Sequence, residues 1–223
     1  VESIPSTQKQ FNLARMIEAE MREMGLEDVR LDEHCYVYGF IPATDEGLPT
    51  LGFIAHMDTV EWAGEQSVSP RIVESYDGGS IKLNDSVSIG TDVFPYMKEL
   101  KGQDLIVTDG TTVLGADDKA GVAEIMTMAE TLIKDKSIRH GRIAIGFTPD
   151  EEVGNGATLF DVKGFGADFA YTVDGGPIGE IEYENFNAAS AKVLVHGQNI
   201  HPGGAKDKMV NSIHVFEEFN ALL

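Results

Sequence analysis

Cysteine is nearly absent: Cys35 stands alone in 223 residues. A single thiol excludes an internal disulfide and fits a reducing, cytoplasmic setting, with Cys35 read as a small buried hydrophobe. Basic residues are scarce too. Seventeen Lys and Arg face 37 Asp and Glu, for a formal charge of −20. That balance argues against nucleic acid or an anionic membrane as partner, because both need basic patches. Long apolar runs are also missing. None reaches the ~18 residues of a membrane-spanning helix, and the N-terminus has no basic stretch leading into an apolar core, as a signal peptide would. With no initiator Met, the chain reads as starting inside a longer protein. Otherwise the composition is ordinary for a globular protein, 42% hydrophobic and 24% charged. The length suits one large domain or one and a fraction.

What the sequence does have is acid at selected places. Residues 142–147 form an apolar run with the look of a buried strand, and Thr148-Pro149-Asp150-Glu151-Glu152-Val153-Gly154 follows it. Pro149 and Gly154 break regular structure there. Three consecutive carboxylates therefore emerge from a strand end into a tight loop. Holding three like charges together costs free energy unless a cation or a shared proton offsets it. A solvated acidic loop is the plainer reading of such a run taken alone.

Other stretches share the pattern. Residues 51–55 read as a central strand running into His56-Met57-Asp58-Thr59, where Asp58 can hold the His56 tautomer and raise its basicity. A strand is expected over 105–108. Asp117-Asp118 then opens a helix over 118–134, with Val122, Ile125, Met126, Ala129, Leu132 and Ile133 on its apolar face. Acids at a helix start are also ordinary caps. A strand over 167–173 ends at Asp174-Gly175-Gly176, which taken alone is a turn signal.

Between these stretches, Ser6 or Thr7 is placed to cap a helix over 8–24 that ends at Gly25. Strands are expected over 29–31 and 36–41, with His34 solvated in the turn between them. Residues 60–104 are polar and Gly-rich, with a small hairpin expected around Asp77-Gly78-Gly79 and Trp62 as a candidate pocket wall. Beyond Glu180 the texture changes. Residues 179–185 and 188–195 alternate like antiparallel strands, and a helix opens near Asn211.

Strand–helix alternation makes this an α/β protein, with a mixed sheet flanked by helices. Ligands of open α/β sheets bind outside the carboxyl ends of the strands. One His and several carboxylates converging there suit a divalent ion such as Zn²⁺ or Mn²⁺. A purely structural Zn²⁺ site is disfavoured, since such sites usually use cysteine.

Five motifs in this order resemble the dinuclear zinc family that includes aminopeptidases, aminoacylases and carboxypeptidase G: His56-Met57-Asp58-Thr59, Gly115-Ala116-Asp117-Asp118-Lys119-Ala120-Gly121, Thr148 to Gly154, Thr172-Val173-Asp174-Gly175-Gly176 and Asn199-Ile200-His201-Pro202-Gly203. The run Tyr183-Glu184-Asn185-Phe186-Asn187-Ala188-Ala189 resembles the tripeptide-cleaving branch more than the others. The resemblance implies a zinc-exopeptidase catalytic domain over 1–185 and the start of an α+β lid, or dimerisation, domain over 186–223. It implies two Zn²⁺ (or Mn²⁺ or Co²⁺), with His56 and Asp174 on one ion, Glu152 on the other and Asp117 bridging them through a cis bond to Asp118. Asp58 would orient His56, Glu151 would be the general base, and His201 would stabilise the oxyanion. Short peptides, tripeptides above all, would be the substrate, and a homodimer the assembly.

Family members are nearly twice as long and supply one more His ligand near their C-terminus. This chain is therefore read as a segment, with its second metal site incomplete as it stands. Two other readings remain open: a related amidohydrolase, such as an aminoacylase or dipeptidase, and a metal-dependent binding protein that is not an enzyme.

Overall fold

The computed structural model describes residues 3–60, 67–176, 178–184 and 187–223. Trp62 lies outside the described residues. The chain divides into two compact units, Val1–Ile178 and Gly179–Leu223.

In the first unit the elements run α1 (Gln10–Met24), β1 (Glu27–Leu31), β2 (Val37–Ile41), β3 (Leu51–His56), β4 (Arg71–Val73), β5 (Ile81–Lys82), β6 (Ser88–Ile89), a 3₁₀ turn (Pro95–Leu100), β7 (Leu105–Val107), α2 (Ala116–Lys134), β8 (Ile143–Thr148), α3 (Val162–Phe165) and β9 (Phe169–Thr172). Helix α1 stops where Gly25 takes the left-handed conformation at φ 87°, and the Leu26 N–H reaches back to the Met21 carbonyl at 3.0 Å.

Five strands make the main sheet, in the order β1-β2-β8-β3-β9. Strands β8, β3 and β9 are mutually parallel, while β2 runs antiparallel to both β8 and β1. This is the mixed α/β architecture expected from the sequence. Alternate residues of the central strands feed two cores, as the period of two demands. Val37, Ile41, Ile143, Ile145 and Phe147 pack with Ile17 and Met21 of α1 and with Val122, Ile125 and Met126 of α2. On the opposite face Tyr36, Tyr38, Phe40 and Ala144 pack with Phe165 of α3. Cys35 is fully buried, and burial pushes its thiol up to about 12, so it is an inert core residue.

Three expectations are corrected. Ser6 does not cap α1; the helix begins at Gln10 without a side-chain cap, and the Ser6 N–H and hydroxyl go instead to Asp150. No hairpin forms around Asp77-Gly78-Gly79. Strand β4 pairs with β7, and β5 pairs with β6. The reason is Tyr76: its ring is buried with Met97 and Val107, and its backbone bonds Gly102 and Gln103, which draws the chain toward β7. These small pairings make a lobe between β3 and α2, so the strand expected over 105–108 lies outside the main sheet.

The third correction concerns the second unit. Its described residues contain a 3₁₀ turn (Pro202–Gly204), a single bridge between Gln198 and Val210, and α4 (Ser212–Asn220), capped by the Asn211 side chain. No strand forms among the described residues of 179–195. Alternation marks a surface fit for a sheet, but a strand exists only when a second strand meets its N–H and C=O groups.

Candidate metal centre

Strands β8, β3 and β9 are sheet neighbours, so their carboxyl ends lie side by side. His56 is the last residue of β3 and pairs with Thr148 of β8. Beyond Thr148 comes the acidic turn, and Asp174 follows the end of β9. The start of α2 lies across the same edge. His56 is 2% exposed, and its backbone N–H donates to Asp118 Oδ2 at 3.1 Å. Asp117 and Asp118 keep non-helical backbone angles inside α2, and the peptide bond between them is cis.

Around His56 the side chains converge. Its Nε2 lies 2.8 Å from Asp117 Oδ1, 3.7 Å from Asp174 Oδ2 and 3.9 Å from Glu151 Oε2. Its Nδ1 lies 3.0 Å from the Asp58 carbonyl oxygen and 3.4 Å from Asp58 Oδ1. Donation from Nδ1 to that carbonyl leaves Nε2 facing the carboxylates, the arrangement a metal-binding imidazole needs. The Asp58 carboxylate also accepts the backbone N–H groups of Glu151 at 3.0 Å and Glu152 at 3.1 Å. One aspartate thereby joins the end of β3 to the acidic turn.

Two overlapping groups have ligand atoms close enough to share an ion: His56 with Asp117 and Glu152, and His56 with Asp118 and Asp174. An imidazole with hard oxygen donors and no thiolate fits a divalent ion of the zinc or manganese type. Six of the seven residues expected from the sequence thus meet: His56, Asp58, Asp117, Glu151, Glu152 and Asp174. The seventh, His201, belongs to the second unit, where its Nδ1 accepts the Gly203 N–H at 3.2 Å.

The charges respond to this crowding. Burial works against a protonated His56, yet Asp58 and Asp117 outweigh it and raise the ring to about 9. Asp58 is held below the usual carboxylate range: burial opposes this, but His56 and the two loop amides prevail. Burial and then the Asp174 charge lift Asp118 to about 6. Glu151 and Asp174 are also raised, first by desolvation and then by neighbouring carboxylates. Raised acids around a raised base mark a site that carries more negative charge than its own residues balance.

Sequence reasoning missed two buried carboxylates here, one in the cluster and one behind it. Asp118 is 3% exposed and accepts both the His56 and Gly121 amides, so it braces the floor of the cluster. Asp150 is fully buried and turns away from Glu151 and Glu152. The three carboxylates of the acidic turn are therefore not equivalent. Its left-handed backbone, at φ 56°, aims it inward, and only the uncommon tolerance of Asp for that conformation hints at this in the sequence.

A family model described as a peptidase dimerisation domain matches residues 183–223. Peptidase T of Alkaliphilus oremlandii is 55% identical over 228 residues, an alignment covering 100% of this chain and 56% of that protein. Peptidase T of Clostridium acetobutylicum is 54% identical over 224 residues, covering 99% of this chain and 55% of that protein. Aminopeptidase PepT from Bacillus cereus, a crystal structure, matches with a TM-score of 0.68 at 27% identity, covering 99% of this chain and 52% of that one. The chain spans about half the length of the curated relatives it matches.

Proposed function

Because the chain is similar to peptidase T from end to end, we propose that it carries the reaction centre of a metal-dependent exopeptidase that hydrolyses the N-terminal peptide bond of short peptides, tripeptides in particular. In this reading His56 and Asp174 would hold one Zn²⁺ and Glu152 a second, with Asp117 shared between the two. Mn²⁺ or Co²⁺ are the alternatives in the same sites. Bound ions of this kind supply an acidified water and a polarised carbonyl. Glu151 would serve as the general base, accepting a proton from the attacking water and passing it to the leaving amine. Asp58 keeps the His56 ring oriented. Working in the cytoplasm as a homodimer completes the reading; the single buried cysteine and the dimerisation-domain match support these two points.

The observation that carries the proposal is the division of labour inside the acidic turn. Glu152 falls in a group that could share an ion, whereas Glu151 stands outside both groups with its carboxylate 3.9 Å from His56 Nε2. Adjacent residues thus have different surroundings, as a ligand and a base require.

The test is hydrolysis of a free-amine tripeptide beside its N-acetylated form, by the natural protein that carries this chain. Cleavage of the free-amine peptide is expected, and cleavage of the blocked form alone would assign an aminoacylase-type activity instead. Glu151→Gln should lower turnover by about 10²–10⁴-fold or more while leaving cation binding intact. Unchanged turnover in that variant would remove the general base from the proposal.

A further inference from the structure

Among the described residues, Asp150 is the one buried carboxylate at the strand edge that takes no part in the cluster, and the hydrogen bonds of its side chain are all with the beginning of the chain. Its Oδ1 accepts from the Ser6 N–H at 3.0 Å, the Ser6 hydroxyl at 2.6 Å and the Gln10 side-chain amide at 2.7 Å. Its Oδ2 accepts the Ser6 N–H at 2.8 Å. Gln10 answers in both directions, since its Oε1 also accepts the Asp150 backbone N–H at 3.3 Å. A further bond from the Gln10 amide to the Ser6 hydroxyl, at 3.2 Å, ties the two partners together.

We propose that Ser6 and Gln10 are positioning residues for the candidate metal centre, acting through Asp150 to hold Glu151 and Glu152 toward His56. The inference rests on the reading of that cluster as a cation site. Like charges in the cluster push the acidic turn outward, and a short loop gives way unless its backbone is held. This turn is held from two sides. On one, the Asp58 carboxylate takes the amides of Glu151 and Glu152. On the other, the Asp150 side chain is locked into the segment that leads into α1. Weakening the second grip leaves a fully buried carboxylate short of donors, a cost that swinging out toward water relieves. Because Glu151 and Glu152 are the next residues, they would move with it.

Cobalt titration of the natural protein that carries this chain, followed by the visible absorption of bound Co²⁺, tests the inference without reference to turnover. In Gln10→Glu the donor is replaced by a carboxylate facing Asp150. Apparent Co²⁺ affinity should fall about tenfold or more, the scale seen when groups behind metal ligands are lost. Adding Asp150→Asn to that variant exchanges donor and acceptor, and should recover most of the affinity and the original band shape. Gln10→Glu that stays folded by circular dichroism and binds Co²⁺ within twofold of the natural chain would overturn the role. Should Gln10→Glu not fold, Ser6→Ala, which removes only the hydroxyl donor, decides: weaker binding supports the inference and unchanged binding overturns it. Glu152→Gln separates the two levels. If it binds as tightly as the natural chain, the cation-site reading falls and this inference with it. If it loses binding while Gln10→Glu does not, only the positioning role falls.

Discussion

His56 carries the pH behaviour of the centre. Raised to about 9, the ring is protonated near neutral pH when no ion is present. An ion must then displace a proton from Nε2 as it binds. Calorimetric titration near pH 7 in two buffers of different ionisation enthalpy should give different apparent heats, and identical heats would contradict the assignment. The sign for stability follows from the same shift. A group whose folded pKa is raised contributes stability that is fully present below its unfolded value, about 6.5. That stability is lost as pH rises toward 9. The ion-free chain should therefore melt at progressively lower temperature between pH 6.5 and 9, and His56→Ala should flatten the trend. At this scale the sequence was partly legible. His56 and Asp174 stand at the ends of apolar runs and could be picked out for that reason. Asp150 and Asp118 could not, because whether a carboxylate points into or out of a loop depends on backbone angles and burial that the identity of the residue does not set.

Among the elements, the start of α2 shows how closely helix and sheet approach. A Cβ added to Gly121 would lie 2.0 Å from the Val173 carbonyl oxygen and 2.5 Å from Asp118 Oδ1. Gly121 is thus the contact that lets the helix sit against the segment leading to Asp174. Gly121→Ala should cost about 1–3 kcal/mol by urea unfolding, as overpacking does. It should also weaken cation binding, since the shift is passed directly to Asp174 and Asp118. A variant with wild-type stability and affinity would mean that this approach is looser than described. Elements with a clear period were legible: α1, β2, β3 and β8 lie within a few residues of where the pattern of apolar positions puts them. In the lobe between β3 and α2 the strands were legible but their pairing was not: β4 and β5 flank Asp77-Gly78-Gly79 and β7 stands where a strand is expected over 105–108, yet the partners are set by burial of Tyr76. The alternating residues after Gly179 misled as well, since their period is clear and their partner is not.

For the molecule as a whole, acid dominates: the formal charge is −20, and much of the carboxylate at the strand ends is crowded into one place. Binding of ions to the folded state alone must raise stability by mass action, by about 2.7 kcal/mol at a hundred times the dissociation constant. The melting temperature of the chain should rise with added Zn²⁺, and an unchanged melting curve at saturating Zn²⁺ would count against a site preformed in the fold. Among the described residues no helix is long and apolar enough to cross a membrane.

The parallel pairing of His56 with Thr148, and of Ile54 with Thr172, has a consequence of its own. Lateral alignment of three strands is what brings an imidazole from one, a pair of glutamates from the next and an aspartate from the third to a common height. Sliding the middle strand by a single residue would displace its tip by about 3.3 Å and flip its side chains to the opposite face. Two proteins could therefore carry all five motifs letter for letter, differ only by one residue missing between Leu51 and Ala55, and only one of them would hold an ion. The chemistry is written in the spacing as much as in the letters.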